Sequence, residues 1–485
     1  MGADSTPRPR LGNERIHLPR AMRRLLVLGV HPPRLLSPAM QEPAAKAPIH
    51  RDATKAVALL LTINLFNYID RYILAAVVPS LKAEFHLSDD RAGLLATAFL
   101  YAYMFGAPIL GRMAERFSRW WIVAGSVAVW SLASGWTGLA ASFGVLLASR
   151  VVVGIGEAGY GPAAPALLSD YFPIERRGRM MALFYVAIPV GSAFGYVIGG
   201  QVNDWLGWRW AFFLVVPPGL LLAALSLRMR EPHPHRPRVV SKGTLRADAR
   251  TLLRIPSYLL NTAAMTAMTF AIGGISFWIP TYMAQRLAEQ RGLPTLTALG
   301  DISTLSQFNK ILAQVNTTFG IIVVIAGIFS TLAGSWLGDK LRPRFSGAYF
   351  TVSGVAILLA FPCTLAMLKL PFPYAWYAVF GAVFFLFFNT GPANTALANV
   401  TSPAMRATAF AVNIFIIHAF GDALSPPLIG WVKTHTSWDT AFTLVSLMMV
   451  LASALWFIAS RYLGKDTEAI EQLESARDAE EAKAA

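Results

Sequence analysis

The sequence has a single cysteine, Cys363, among 485 residues. One thiol cannot close an internal disulfide, and it argues against a thiolate metal site. Charge is scarce as well: 14% of the residues are charged, against about 25% in soluble domains. No Gly-x-x-x-x-Gly-Lys-Ser/Thr loop occurs, which excludes ATP hydrolysis at a phosphate loop of that kind. No cofactor is expected. Apolar residues are abundant instead, with 55% hydrophobic content and a mean hydropathy of +0.48.

Crossing a bilayer takes about 20 apolar residues. Runs of that kind lie near 53–78, 91–111, 120–141, 144–168, 180–200, 210–228, 257–284, 316–338, 346–368, 374–398, 408–431 and 439–462. They predict an all-α membrane protein with about twelve transmembrane helices. The net charge of +15 follows this topology. Arg112, Arg116 and Arg119 follow the second run, and Arg176, Arg177 and Arg179 follow the fourth. Arg228 to Arg254 crowd the middle, and Lys340, Arg342 and Arg344 follow the eighth run, while the alternate loops carry little charge. By the positive-inside rule both termini face the cytoplasm. A plasma-membrane location is expected, the inner membrane in a bacterium, with no nucleic-acid partner.

Residues 1–52 are rich in Pro and Arg and have no period; they read as a disordered tail, with Met40 as an alternative start. Residues 53–228 form a first six-helix half, 229–255 a cytoplasmic linker, 256–463 a second half and 464–485 a charged tail. The halves repeat. Gly161-Pro162-Ala163 recurs as Gly391-Pro392-Ala393, Arg177 as Arg406, and Glu115-Arg116 as Asp339-Lys340, each about 230 residues on. Two repeated halves with a site between them at mid-membrane are a transporter architecture.

Asp70 and Arg71 sit inside the first run, and Arg150 and Glu157 inside the fourth. A charge at the bilayer centre costs at least about 2.5–3.5 kcal/mol, so it persists only when paired or facing a wet cavity. Arg150 and Glu157 are nearly two helical turns apart and share a face. The four charges sum to zero at overlapping depths, which predicts one buried network. A buried carboxylate is stable either paired or protonated, so Asp70 and Glu157 are the candidate proton-coupling groups. An ion pair that only locks two helices is the competing reading.

Gly191, Gly195 and Gly199 follow Pro189 in the fifth run at four-residue spacing, a helix-packing face or an antiporter-like glycine motif. His418 and Asp422 in the eleventh run share a face and are expected to bond to each other or to a ligand head group. Asn67, Tyr160, Phe270, Trp278, Asn389 and Asn413 are expected to line the substrate cavity. The long loop 286–315 is expected to form a partial lid.

Gly111-Arg112-Met113-Ala114-Glu115-Arg116-Phe117-Ser118-Arg119 resembles the Gly-x-x-x-Asp-Arg-x-Gly-Arg loop of the major facilitator superfamily, with Glu115 and Ser118 replacing Asp and Gly. Glu115, Arg116, Arg119, Asp339 and Lys340 are expected to bridge the halves as a cytoplasmic gate. Further motifs run in order: Asn67-Tyr68-x-Asp70-Arg71-Tyr72, Ala92-Gly93-Leu94-Leu95, Gly154-x-Gly156-Glu157-Ala158-x-Tyr160, Ala187-Ile188-Pro189-Val190-Gly191-Ser192 and His418-x-x-Gly421-Asp422-x-x-Ser425-Pro426. Together they resemble the Spinster branch of that superfamily. The resemblance implies a proton-linked transporter of an amphiphilic, lipid-like substrate such as a sphingoid phosphate or lysophospholipid; a monomer is expected. Asp70, Arg71, Arg150 and Glu157 would then be its coupling and head-group residues. A proton-driven exporter of drugs or small organic anions is the alternative, and a lipid scramblase or membrane-embedded enzyme the reading from another class.

Overall fold

A computed structural model describes residues 52–172, 174–231, 250–293, 302–402 and 405–484. Six helices precede the linker: α1 (Ala53–Phe85), α2 (Asp89–Arg116), α3 (Arg119–Gly138), α4 (Phe143–Tyr171), α5 (Ile174–Leu206) and α6 (Trp208–Leu227). After it come α7 (Pro256–Gln290), α8 (Ile302–Leu341), α9 (Ala348–Lys369), α10 (Tyr374–Phe388), α11 (Thr390–Asn399), α12 (Arg406–Ile417), α13 (Ser425–His435) and α14 (Trp438–Ala484). The pair α10–α11 makes the tenth span; α12, a π turn at His418–Asp422 and α13 make the eleventh. Among the described residues eleven spans are long and apolar enough to cross a membrane. The helix left out is α3, where Trp, Ser and Gly dilute the apolar residues.

Turn chemistry fixes the ends. The Ser142 hydroxyl accepts from the Val145 amide to cap α4. Pro256 begins α7, where its missing N–H would have had no helical partner. Most of the expected lid is helix: 286–290 complete α7 and 302–315 open α8. Residues 294–301 of that stretch, and 232–249 of the linker, lie outside the described residues.

The internal repeat appears in the packing. Pro162 of α4 lies against Gly111 of α2, and Pro392 of α11 lies against Gly338 of α8, the equivalent pair. Gly191, Gly195 and Gly199 seat α5 on the backbone of α1 at Leu65, Ile69 and Ile73, so this stripe is a packing seam.

The halves touch mainly through α5 against α8 and α2 against α13. Both seams lie toward the end opposite the arginine-rich loops. Asn203 donates to Asn309, Gln201 to Thr317, and Asn316 to the Ala76 carbonyl. The second seam uses backbone made available by the eleventh span's irregularity. Pro427 has no N–H for the Ala423 carbonyl, which accepts instead from Thr97 Oγ1 at 2.5 Å. The carbonyl of Ala419, inside the π turn, accepts from Tyr101 at 3.4 Å. One turn further along that face of α2, Phe105 and Ile109 are exposed. Tyr185 on α5 and Trp336 on α8 are exposed as well.

Candidate functional site

Asp70 and Arg71 are neighbours on α1 and so point about 100° apart around the helix. Asp70, 2% exposed, turns into its own half, where Ser134 of α3 donates to Oδ2 at 2.5 Å. Arg71 turns toward α2 and α4. Its Nη2 donates to Glu157 Oε2 at 2.6 Å, and its side chain keeps 22% exposure while that of Glu157 keeps 1%. Arg71 thus reaches open space and the carboxylate does not.

Aromatic rings surround the guanidinium. Arg71 Cζ lies 4.7 Å from the Phe99 ring centre, 5.1 Å from Tyr68 and 5.6 Å from Tyr103. Arg150 Cζ shares Phe99 from 5.4 Å. Each contact on a desolvated cation can contribute up to about 2 kcal/mol. Arg150 is 1% exposed and lies within the electrostatic reach of both Asp70 and Glu157. Its Nε and Nη1 have no hydrogen-bond partner among the described residues, and neither do Asp70 Oδ1, Glu157 Oε1 and Arg71 Nε. All four expected charges therefore converge, with one direct ion pair and several unused donors and acceptors.

Small residues on α4 make this convergence possible. Gly154 lies against the α2 backbone at Tyr103, and Gly156 against Trp130 of α3. Side chains there would push α4 out of the crevice and withdraw Arg150 and Glu157 from α1.

His418 and Asp422 do pair: Nδ1 lies 2.9 Å from Oδ1 and 3.0 Å from Oδ2. The expected cavity residues divide. Phe270 is half-buried. Trp278 is fully buried and donates to the Pro426 carbonyl at 2.8 Å. Tyr160 is buried and donates to the Leu60 carbonyl at 2.8 Å, tying α4 to α1. Asn389 donates to the Leu386 carbonyl, and Asn413 to Met265 Sδ. Both are buried, as is Asn67, whose Nδ2 has no partner among the described residues. These interior positions follow from tertiary packing rather than from residue type.

The expected gate residues stay within their own halves. Arg119 pairs with Asp170 at 2.5 Å, its backbone amide donates to Glu231, and Tyr349 donates to Asp339 at 2.7 Å. Lys340 lies 4.6 Å over the Trp336 ring and Arg116 is exposed; the Glu115 side chain lies outside the described residues. At the opposite end an ion pair does join the halves, one that the sequence reading missed. Asp89 at the start of α2 accepts from Lys433 of α13 at 2.6 Å and also from Lys82 of α1. In the sequence Asp89 follows Ser88 and reads as an ordinary acidic first turn. Ser134 was missed too, although Ser131 and Ser134 share a helical face in an apolar run.

Comparison with known proteins agrees with this architecture. The family model described as Major Facilitator Superfamily matches residues 60–421. Protein spinster of Drosophila melanogaster is 33% identical over 410 residues, 82% of this chain and 65% of that protein, so the chain spans under two thirds of that relative. Protein spinster homolog 3 of Danio rerio is 33% identical over 448 residues, 87% of each chain. Among solved structures, a bacterial homolog to the human lysosomal transporter Spinster, in an inward-facing and occupied conformation, superposes with a TM-score of 0.71. It has 22% identity and covers 86% of this chain and 99% of its own. The inward-open xylose transporter XylE from E. coli gives a TM-score of 0.62 at 16% identity, covering 87% of this chain and 99% of its own. With its eleven apolar spans among the described residues and its repeated halves, the chain belongs to the major facilitator superfamily and is a transporter of the Spinster type.

Proposed function

We propose that the protein is a proton-coupled secondary transporter that moves an amphiphilic anion, of the sphingoid phosphate or lysophospholipid kind, by alternating access. The Arg71–Glu157 pair carries this reading. Arg71 reaches open space while its carboxylate partner is sealed. An anionic head group that takes over the guanidinium leaves Glu157 buried without its ion-pair partner, and a proton is then the least costly replacement. Substrate binding to Arg71 and proton binding to Glu157 both break this one pair, so each favours the other, and such linkage is the core of coupled transport. Asp70, packed behind Arg71 and within reach of Arg150, is the second coupling group. His418 and Asp422 supply a polar contact from the other half, and Phe270 apolar surface for a lipid chain. In one state the arginine-rich end, taken as cytoplasmic, is open. In the opposite state Glu115, Arg116 and Arg119 close against Asp339 and Lys340. The protein works as a monomer in the plasma membrane, the inner membrane of a bacterium, with both termini inside.

Reconstitution into proteoliposomes with an imposed pH gradient tests this, using labelled lysophosphatidylcholine and sphingosine-1-phosphate as probes. The expected result is movement of unchanged substrate whose extent follows the gradient. Equilibration indifferent to the gradient would mean a scramblase, and a chemically altered probe an enzyme. Movement of small organic anions alone would shift the substrate class.

A further inference from the structure

Asp70 has a second neighbour, on the side away from the ion pair. Between α1, α3 and α6 lies a void of about 10 Å³, room for one water molecule, lined by Asp70, Ser131, Trp130, Phe66, Val215 and Gly219. Asp70 Oδ1 and Ser131 Oγ are both buried there, and neither has a hydrogen-bond partner among the described residues. Ser131 departs from local habit in this. Ser192, Ser226 and Thr137 turn their hydroxyls back to the carbonyl four residues earlier, the usual choice in an apolar helix. Gly219 of α6 packs directly against the Ser131 side chain, so any larger residue there would press into this space.

We infer that the void holds one fixed water that accepts from Ser131 Oγ and donates to Asp70 Oδ1, making Ser131 a positioning residue for the Asp70 carboxylate. A buried carboxylate with one hydrogen bond, from Ser134, is poorly satisfied. Arg150 makes no ion pair with it, so a second donor has to come through solvent. The charged groups that face Asp70 are Arg150 and Glu157 on α4 and Arg71 on its own helix. The membrane parts of α3 and α6 offer none, which leaves the serines of α3 as its polar support on that side.

The inference rests on the coupling role proposed for Asp70 only for its consequence, and the test separates the two. A density map of the intact protein at a resolution that shows ordered water is expected to place a peak within hydrogen-bond distance of both Asp70 Oδ1 and Ser131 Oγ. A void without density, or a Ser131 hydroxyl bonded straight to Asp70, would overturn it. In proteoliposomes Ser131→Ala is expected to move the pH of half-maximal transport upward by about one unit with the maximal rate kept, because the charged carboxylate loses a donor. An unshifted profile in that variant would also overturn the inference. A parent protein indifferent to pH would instead count against the coupling reading and leave the density test standing.

Discussion

Lys433 is the residue through which the closed end can be weakened without stranding a charge. Replacing it with Gln removes the cross-half partner of Asp89, while Lys82, in the same half as Asp89, stays in place. A hydrogen bond to a charged group contributes about 1.5–3 kcal/mol. The Lys433 side chain is 26% exposed, so solvent recovers part of this and the lower figure applies. About 1.5 kcal/mol is roughly a tenfold change in the ratio of closed to open forms at this end. The hydrogen bonds from Thr97 and Tyr101 and the α5–α8 seam remain, so the change is in a minor population and not a collapse. Spin labels on cysteines at His86 and Thr436, both exposed and on opposite halves, would read it in a Cys363→Ser background. Pulsed-EPR distances should gain a longer component in Lys433→Gln, absent or about tenfold rarer in the parent. Identical distance distributions in the two proteins would refute the assignment of this pair as a bolt between the halves.

Other outcomes follow from the packing. Gly195→Val should lower the thermal midpoint in detergent by the equivalent of about 1–3 kcal/mol, since a Cβ would meet the Ile69 carbonyl at 2.7 Å and Tyr72 Cβ at 2.8 Å. An unchanged midpoint would mean that the α1–α5 seam is slack. Trp278→Phe should cost about 1–3 kcal/mol by leaving the Pro426 carbonyl unpaired, with substrate affinity retained; the reverse pattern would put Trp278 on the transport path. Arg150→Ala should reduce the yield of monodisperse protein, because Asp70 and Glu157 lose a buried positive charge within their electrostatic reach. Arg150→Lys should restore much of that yield, and equal yields for all three proteins would show that Arg150 does not hold the network.

Much of the fold was legible because a bilayer imposes length and polarity limits that a sequence cannot disguise. The runs and the repeated Gly-Pro motif were sufficient for eleven of the about twelve expected spans and for their pairing into halves. The convergence of Asp70, Arg71, Arg150 and Glu157 was legible for the same reason, since charges placed so deep need one another. The partners of charged residues at the helix ends were not. Among the described residues Arg119 and Asp339 bond within their own halves, while Asp89 meets Lys433 across the halves at the other end. Side-chain facing was also hidden. Tyr160 and Trp278 are amphipathic and suit a cavity, yet each gives its polar atom to a backbone carbonyl inside the packing. The loop at 286–315 was read as a lid, but its ends extend α7 and α8.

The central claim is that buried carboxylates on α1 and α4 exchange an arginine for a proton as the protein works. Asp70→Asn, with Glu157→Gln beside it, tests this most directly in proteoliposomes, comparing gradient-driven accumulation with substrate exchange in the absence of a gradient. The account predicts that both variants fold with a melting temperature close to the parent's and lose accumulation driven by the pH gradient. Full gradient-driven accumulation by Asp70→Asn, with the pH profile of the parent, would contradict it.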